Sequence, residues 1–82
     1  MQNVKNTELL ISFGQNLRKL RKKKELSMKH LADLANLEYS QVARIERGII
    51  NTTISSAYAI ATALEIPLNK LFEFEVSKKK KK

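Results

Sequence analysis

Residues 27–48 read SMKHLADLANLEYSQVARIERG, a pattern typical of two short helices joined by a tight turn. Ser27 carries the side-chain oxygen that commonly caps a helix N-terminus. Asn36 follows about two turns later and tolerates the left-handed conformation in which many helices end. A second helix is predicted over roughly residues 39–47, because glycine, here Gly48, commonly follows the last helical turn. The stretch therefore predicts a helix-turn-helix unit.

The apolar residues of this unit divide its second helix into two edges. Ala32 lies one turn into the first helix, where a very small side chain lets two crossing helices approach closely. The residues predicted to pack beneath the crossing recur at helical spacing; they are Leu31, Ala35, Leu37, Val42 and Ile45. The opposite edge of the second helix is polar, as a helix that enters a nucleic-acid groove requires.

Three further helices are predicted around this unit. A first helix, roughly residues 8–24, begins after the N-cap Thr7, and Gly14 within it indicates a close contact with another helix. A fourth helix begins after the N-cap Thr53, and Pro67 starts a short fifth helix. The residues predicted to form their apolar faces are Leu9, Leu10, Phe13, Leu17 and Leu20, and Ile54, Ala57, Tyr58, Ala61 and Leu64.

Five short helices predict an all-α bundle with a single core, since the chain has only 82 residues. We expect residues 1–7 to form a flexible N-terminal arm and residues 8–76 to form the helix-turn-helix domain. Residues 77–82 are predicted to be a disordered lysine tail. Residues 72–76 alternate apolar and acidic side chains, so a short strand is an alternative to a helix there.

The net charge of +8 predicts a polyanionic partner, with nucleic acid as the first candidate. Lys78–Lys82 supply five of these charges, so residues 1–77 carry a net charge of only +3. The tail is interpreted equally as a solubilising segment or as a nonspecific DNA clamp. Attachment to a membrane surface ranks last, because the basic first helix needs its apolar stripe for the core.

The composition and the short apolar runs exclude several classes of function. The chain has no cysteine and one histidine, which leaves no disulfide scaffold, thiolate metal site or imidazole cluster. No carboxylate pair lies beside a nucleophile and no glycine-rich loop is present to hold a nucleotide. We therefore expect no enzyme activity, no cofactor and no small-molecule ligand. No apolar run is long enough for a membrane span or a signal peptide, so we expect a cytoplasmic protein without a membrane partner.

Residues 13–72 resemble the phage-repressor-type (Xre, lambda-repressor-like) helix-turn-helix domains of bacterial and phage regulators. Four motifs, in the family's order and spacing, carry the resemblance; they are Leu17-Arg18-Lys19-Leu20-Arg21, Leu26-Ser27, the stretch from Gln41 to Gly48 and the stretch from Ala59 to Pro67. The resemblance implies a compact five-helix domain that binds double-stranded DNA, usually as a dimer on a two-fold operator.

The resemblance also implies which residues meet the DNA. The residues expected nearest the base edges are Tyr39, Ser40, Ala43 and Arg44. Among them, Arg44 can donate two hydrogen bonds to a guanine. Phosphate contacts are expected to outnumber base contacts; the candidates are Met28, Lys29, Arg47, Asn51, Thr52 and Thr53.

Two positions depart from the family's pattern. Met28 stands where a phosphate-binding glutamine is common, which leaves Lys29 as a candidate substitute. Glu38 stands where serine or threonine is more common. Glutamate can still cap a helix, but its charge near phosphates costs some affinity.

Arg21 and Glu46 match two positions that form an ion pair in this family. Arg21 lies four residues after Leu17, and Glu46 lies four residues after Val42, so both side chains lean towards the predicted core. We interpret the pair as structural: it orients the third helix and contributes little affinity directly.

The main hypothesis is a sequence-specific transcriptional regulator that binds an inverted repeat as a homodimer. One domain of this size buries little DNA surface, so useful specificity requires two copies. Leu68 and Leu71 are expected in the core, and the predicted dimer contacts are Phe72, Phe74 and Val76. The alternative is a basic protein-interaction adaptor or antitoxin-like partner with weak DNA binding.

Overall fold

A computed structural model describes residues 6–76, and its regular elements are all helical. The four α-helices are α1 (Thr7–Lys23), α2 (Met28–Ala35), α3 (Tyr39–Glu46) and α4 (Ile54–Leu64). The fifth predicted helix is a 3-10 helix at Leu68–Phe72. The all-α prediction is confirmed. The strand alternative for residues 72–76 is wrong, because this segment folds back on α1 instead of pairing in a sheet.

The first helix begins one residue earlier than the sequence predicts. The Asn6 side chain accepts a hydrogen bond from the Leu9 N–H at 2.9 Å, so Asn6 is the N-cap and Thr7 is the first helical residue. The rest of the predicted arm, residues 1–5, and the predicted lysine tail, residues 77–82, lie outside the described residues.

Side-chain caps start two of the other helices as predicted. The hydroxyl of Ser27 accepts the His30 N–H at 3.0 Å and starts α2. The hydroxyl of Thr53 accepts the Ser56 N–H, also at 3.0 Å, and starts α4. Glu38 occupies the N-cap position of α3, as expected, but its side chain makes no capping hydrogen bond.

Each of the four α-helices is followed by a residue in the left-handed conformation, and the sequence predicts two of these four residues. Asn36 has φ 59° and Gly48 has φ 76°, as their residue types predict. Glu25 and Glu65 also adopt φ values of 60° and 59°. Because the Cβ of glutamate crowds the backbone there, each of these two positions costs about 1–2 kcal/mol.

The core lies where α2 packs against both α3 and α4, and α1 packs against α3 on one side of it. Its fully buried side chains are Leu17, Leu31, Val42, Ile45, Ile60, Leu64 and Leu71. Ala32 is buried as well, which confirms the close crossing that its size predicts. On α4, Ala57 and Ala61 face the core as predicted, whereas Ile54 and Tyr58 are exposed. These two predictions are wrong because the buried face of α4 is narrower than its apolar stripe.

Gly14 brings α1 and α3 into backbone contact. A Cβ at this position would lie 2.5 Å from the backbone carbonyl oxygens of both Ile45 and Glu46. No side chain larger than hydrogen fits at that distance without moving backbone. The close helix contact that Gly14 predicts is confirmed, and α3 is held directly against α1.

The segment after α4 is attached to α1 by one amide side chain and three aromatic rings. The buried Asn16 side chain donates to the carbonyl oxygens of Lys70 at 3.1 Å and Leu71 at 2.9 Å. The ring centroid of Phe13 lies 5.2 Å from that of Phe72 and 6.3 Å from that of Phe74. These contacts hold the 3-10 helix and the residues after it against the same helix that supports α3.

Candidate nucleic-acid interface

The predicted base-contacting residues lie along one accessible edge of α3. Tyr39 is 52% exposed, Ser40 and Arg44 are exposed, and Ala43 is half-buried. Residues four apart on a helix share a face, so Tyr39 lies above Ala43 and Ser40 lies above Arg44. Val42, on the opposite edge, is completely buried. The helix therefore presents a polar edge of small and hydrogen-bonding side chains while its other edge packs in the core.

The start of α2 lies beside this edge and carries two of the phosphate candidates. Met28 is half-buried and packs against the core. Lys29 is exposed, and its ammonium lies 3.4 Å from a carboxylate oxygen of Asp33, whose side chain is exposed as well. Such a surface pair contributes little stability, so Lys29 can exchange it for a phosphate at small cost. Arg47, the C-cap of α3, is also exposed.

The connector between α3 and α4 offers mainly its backbone. The Thr52 hydroxyl is buried and, within the part of the chain that the structure describes, has no hydrogen-bond partner. The Thr53 hydroxyl already accepts the Ser56 N–H as the N-cap of α4. Asn51 is exposed. A phosphate at this position would therefore meet Asn51 and backbone N–H groups at a helix start.

The Arg21 and Glu46 side chains form a buried, two-pronged ion pair between α1 and α3. Arg21 Nε donates to Glu46 Oε2 at 2.6 Å, and Nη2 donates to Oε1 at 3.0 Å. Only 9% of the Arg21 side chain and 4% of the Glu46 side chain are exposed. The third nitrogen, Nη1, donates to the Leu26 carbonyl at 2.7 Å. One guanidinium thus joins the end of α1, the end of α3 and the residue before the α2 cap.

The three predicted dimer residues lie in different environments. Phe72 is 51% exposed and Val76 is exposed, whereas Phe74 is partly buried against the core. Phe72 borders an apolar groove of about 210 Å³ between α1 and the start of α4. Two further exposed residues border this groove, Leu9 and Ile54; both belong to apolar faces predicted to pack in the core, and for these two residues that prediction is wrong. Single-helix periodicity could not separate these two residues from the core, because adjacent residues of one helix can both be buried, as Leu31 and Ala32 are.

Neither a metal site nor a membrane-spanning helix is found in residues 6–76. The His, Asp and Glu side chains of this range form no group of three that could hold a metal ion. None of its helices is long and apolar enough to cross a bilayer.

Comparison with known proteins identifies helix-turn-helix regulators as relatives. The family model HTH_3, described as helix-turn-helix, matches residues 17–71. The immunity repressor protein of Bacillus phage phi105 is 37% identical over 59 residues, which cover 72% of this chain and 41% of the repressor. The match therefore spans about two-fifths of that relative's length.

Solved structures of similar fold include restriction-modification controller proteins. C.AhdI from Aeromonas hydrophila is 44% identical, with a TM-score of 0.76 over 77% of this chain and 96% of that protein. Wild-type C.Esp1396I is 32% identical, with a TM-score of 0.73 over 79% of this chain and 86% of that protein.

Proposed function

The chain belongs to the HTH_3 helix-turn-helix family of DNA-binding transcriptional regulators, and we propose that it binds a specific sequence in double-stranded DNA through α3. In this proposal α3 lies in the major groove, and Tyr39, Ser40, Ala43 and Arg44 face the base edges. The start of α2, Arg47 and the connector 51–53 contact phosphates on either side.

The observation that carries the proposal is the division of α3 into a buried and a reading edge. Val42 and Ile45 are packed in the core, so the orientation of the helix is fixed before DNA is met. Arg44 and Ser40 lie on the exposed edge. A reading edge fixed in this way loses little backbone freedom on binding, which favours affinity.

The test is selection of bound duplexes from a random DNA pool, with wild type and Arg44→Ala in parallel. We expect the wild type to enrich an inverted repeat, and Arg44→Ala to lose the preference at one base pair of each half-site. That loss corresponds to about 1–3 kcal/mol of discrimination, because a guanine loses two hydrogen bonds from one guanidinium.

Arg47→Ala is the matched control for the selection. It removes the same charge from the same helix end, but from a residue assigned to phosphate, so it should weaken all sequences alike and leave the preferences intact. Failure of the wild type to enrich any sequence, with salt-sensitive binding that Arg44→Ala leaves unchanged, would contradict the proposal. The protein-interaction adaptor would then be favoured.

We further propose that the regulator is a homodimer whose subunits meet over the apolar groove. Ile54 is 82% exposed, the largest exposed fraction among the large apolar residues in the described range, and Leu9 and Phe72 adjoin it. Across a two-fold axis, the exposed Ile54 side chain of each subunit can cover the apolar groove of the other. Val76 lies further along the same C-terminal segment, whereas Phe74 contributes mainly to the subunit's own core.

Ile54→Glu is expected to weaken dimerisation at least about tenfold, because a carboxylate would be buried among apolar side chains. Sedimentation equilibrium of wild type and variant measures this directly. Leu34→Glu is the control, since Leu34 is also exposed but lies on α2, away from the groove. A wild type that stays monomeric at high micromolar concentration, or equal weakening by both variants, would contradict the proposed interface.

A further inference from the structure

A small cavity lies where α1, α2 and α3 meet, and it adds Arg18 of α1 to residues already predicted to contact DNA. Its volume is about 140 Å³. The residues that line it are Arg18, Arg21, Met28, Ala43, Glu46 and Arg47. Four of these carry charge, so the electrostatic character of the cavity depends on which charges are already compensated.

The Arg21–Glu46 ion pair lies at the base of the cavity, and its two charges compensate each other. The uncompensated charges that line the cavity are therefore positive. Both carboxylate oxygens of Glu46 accept hydrogen bonds from Arg21, and every nitrogen of the Arg21 guanidinium donates to Glu46 or to Leu26. Arg18 and Arg47, by contrast, are exposed at the edges of the cavity. A ligand entering here meets two guanidinium groups, so the cavity favours an anion.

The position of the cavity indicates which anion it binds. Ala43 belongs to the proposed reading edge of α3, and Met28 is the first residue of α2. If α3 binds in the major groove as proposed above, the backbone that borders the groove passes close to this point. Met28 offers a thioether, which is only a weak acceptor, so it cannot donate a hydrogen bond to that backbone.

We propose that this cavity is a binding site for one DNA backbone phosphate, with Arg18 as a contact residue from α1 and Arg47 as its partner from α3. The inference rests on the proposed function. Arg18 replaces the donor that the α2 start lacks. Its helix is fixed to α3 by Gly14 and by the Arg21–Glu46 pair, so the backbone positions of the two arginines are held relative to each other.

The experiment compares Arg18→Gln with Lys19→Gln by titrating the selected operator from 50 to 200 mM salt. Lys19 is the matched control because it is adjacent, also exposed and of the same charge, but it borders a different cavity with Phe74 and Glu75. We expect Arg18→Gln to weaken binding roughly fivefold and to lower the slope of log K against log salt by about 0.9, with base preferences unchanged. Lys19→Gln should change both quantities much less.

A third variant, Arg18→Lys, separates charge from hydrogen-bond geometry. It should keep the salt slope while losing part of the affinity, because lysine lacks the planar fork that matches a phosphate. Thermal melts of all three variants establish that each is folded. Equal losses in Arg18→Gln and Lys19→Gln, or no loss in either, would overturn the proposal.

The outcome also separates this inference from the proposed function. If the wild type selects no sequence, the same titrations are made on a duplex of random sequence. A slope reduced only in Arg18→Gln would then support the phosphate site while the sequence-specific function fails. An enriched operator with an unaffected Arg18→Gln would do the reverse.

Discussion

Replacing Glu46 with alanine is expected to lower the free energy of unfolding by about 3–5 kcal/mol, because it leaves the Arg21 guanidinium buried without its counter-charge. Two of the three Arg21 nitrogens donate to Glu46, and only the bond to the Leu26 carbonyl remains in the variant. Denaturant unfolding followed by circular dichroism gives the free energy directly.

Asp33→Ala is the control for this prediction. It removes a carboxylate that also faces a cation, Lys29, but both side chains are exposed, so the free energy of unfolding should change by less than about 1 kcal/mol. The double substitution Arg21→Met with Glu46→Leu should recover much of the loss, since no unpaired charge is then buried. A Glu46→Ala variant as stable as the wild type would refute a structural role for the pair.

Gly14→Ala is expected to cost about 3 kcal/mol, the upper end of the usual range for overpacking. The added methyl would lie 2.5 Å from two backbone carbonyl oxygens, and backbone cannot rotate aside as a flexible side chain can. The space must come from separation of α1 and α3, so DNA binding should weaken even in the folded fraction. Chemical denaturation and operator titration of the same sample measure both effects.

The adjacent substitution Gln15→Ala is the matched control for Gly14→Ala. Gln15 is exposed on the same helix, and alanine is the better helix former there, so its stability should be unchanged or slightly higher. If Gly14→Ala proved as stable as Gln15→Ala and bound DNA normally, the close approach of α1 to α3 would not be what positions the reading helix.

Local signals made most of the fold predictable. The caps Ser27 and Thr53 and the helix ends at Asn36 and Gly48 depend on interactions within a few residues, and all four were found as predicted. Residue type carried no such signal at Glu65, which adopts a left-handed conformation that glutamate disfavours. There the packing of the chain beyond α4 overrides local preference.

The candidate site was predictable only where the periodicity of a single helix determines which side chains are exposed. The exposed edge of α3 follows from the periodicity that buries Val42 and Ile45. The apolar groove and the cavity beside Arg18 depend on how separate helices meet, so single-helix patterns did not indicate them. For the same reason, the periodicity of α4 predicts Ile54 in the core, although no helix of residues 6–76 covers its side chain.

Asn16 attaches the C-terminal segment to α1, the helix that also contacts α3 through Gly14 and Arg21. The segment near the proposed dimer interface and the reading helix α3 are therefore both packed on α1. In the proposed dimer, the distance from the two-fold axis to each reading helix is then determined by packing on one continuous helix, without a hinge between them. A dimer of fixed geometry requires half-sites with a fixed centre-to-centre spacing, about 34 Å for one turn of DNA. Adding one base pair between them would rotate the second half-site away from its recognition helix. The protein would therefore discriminate between operators by the spacing of their half-sites as strictly as by their base sequence.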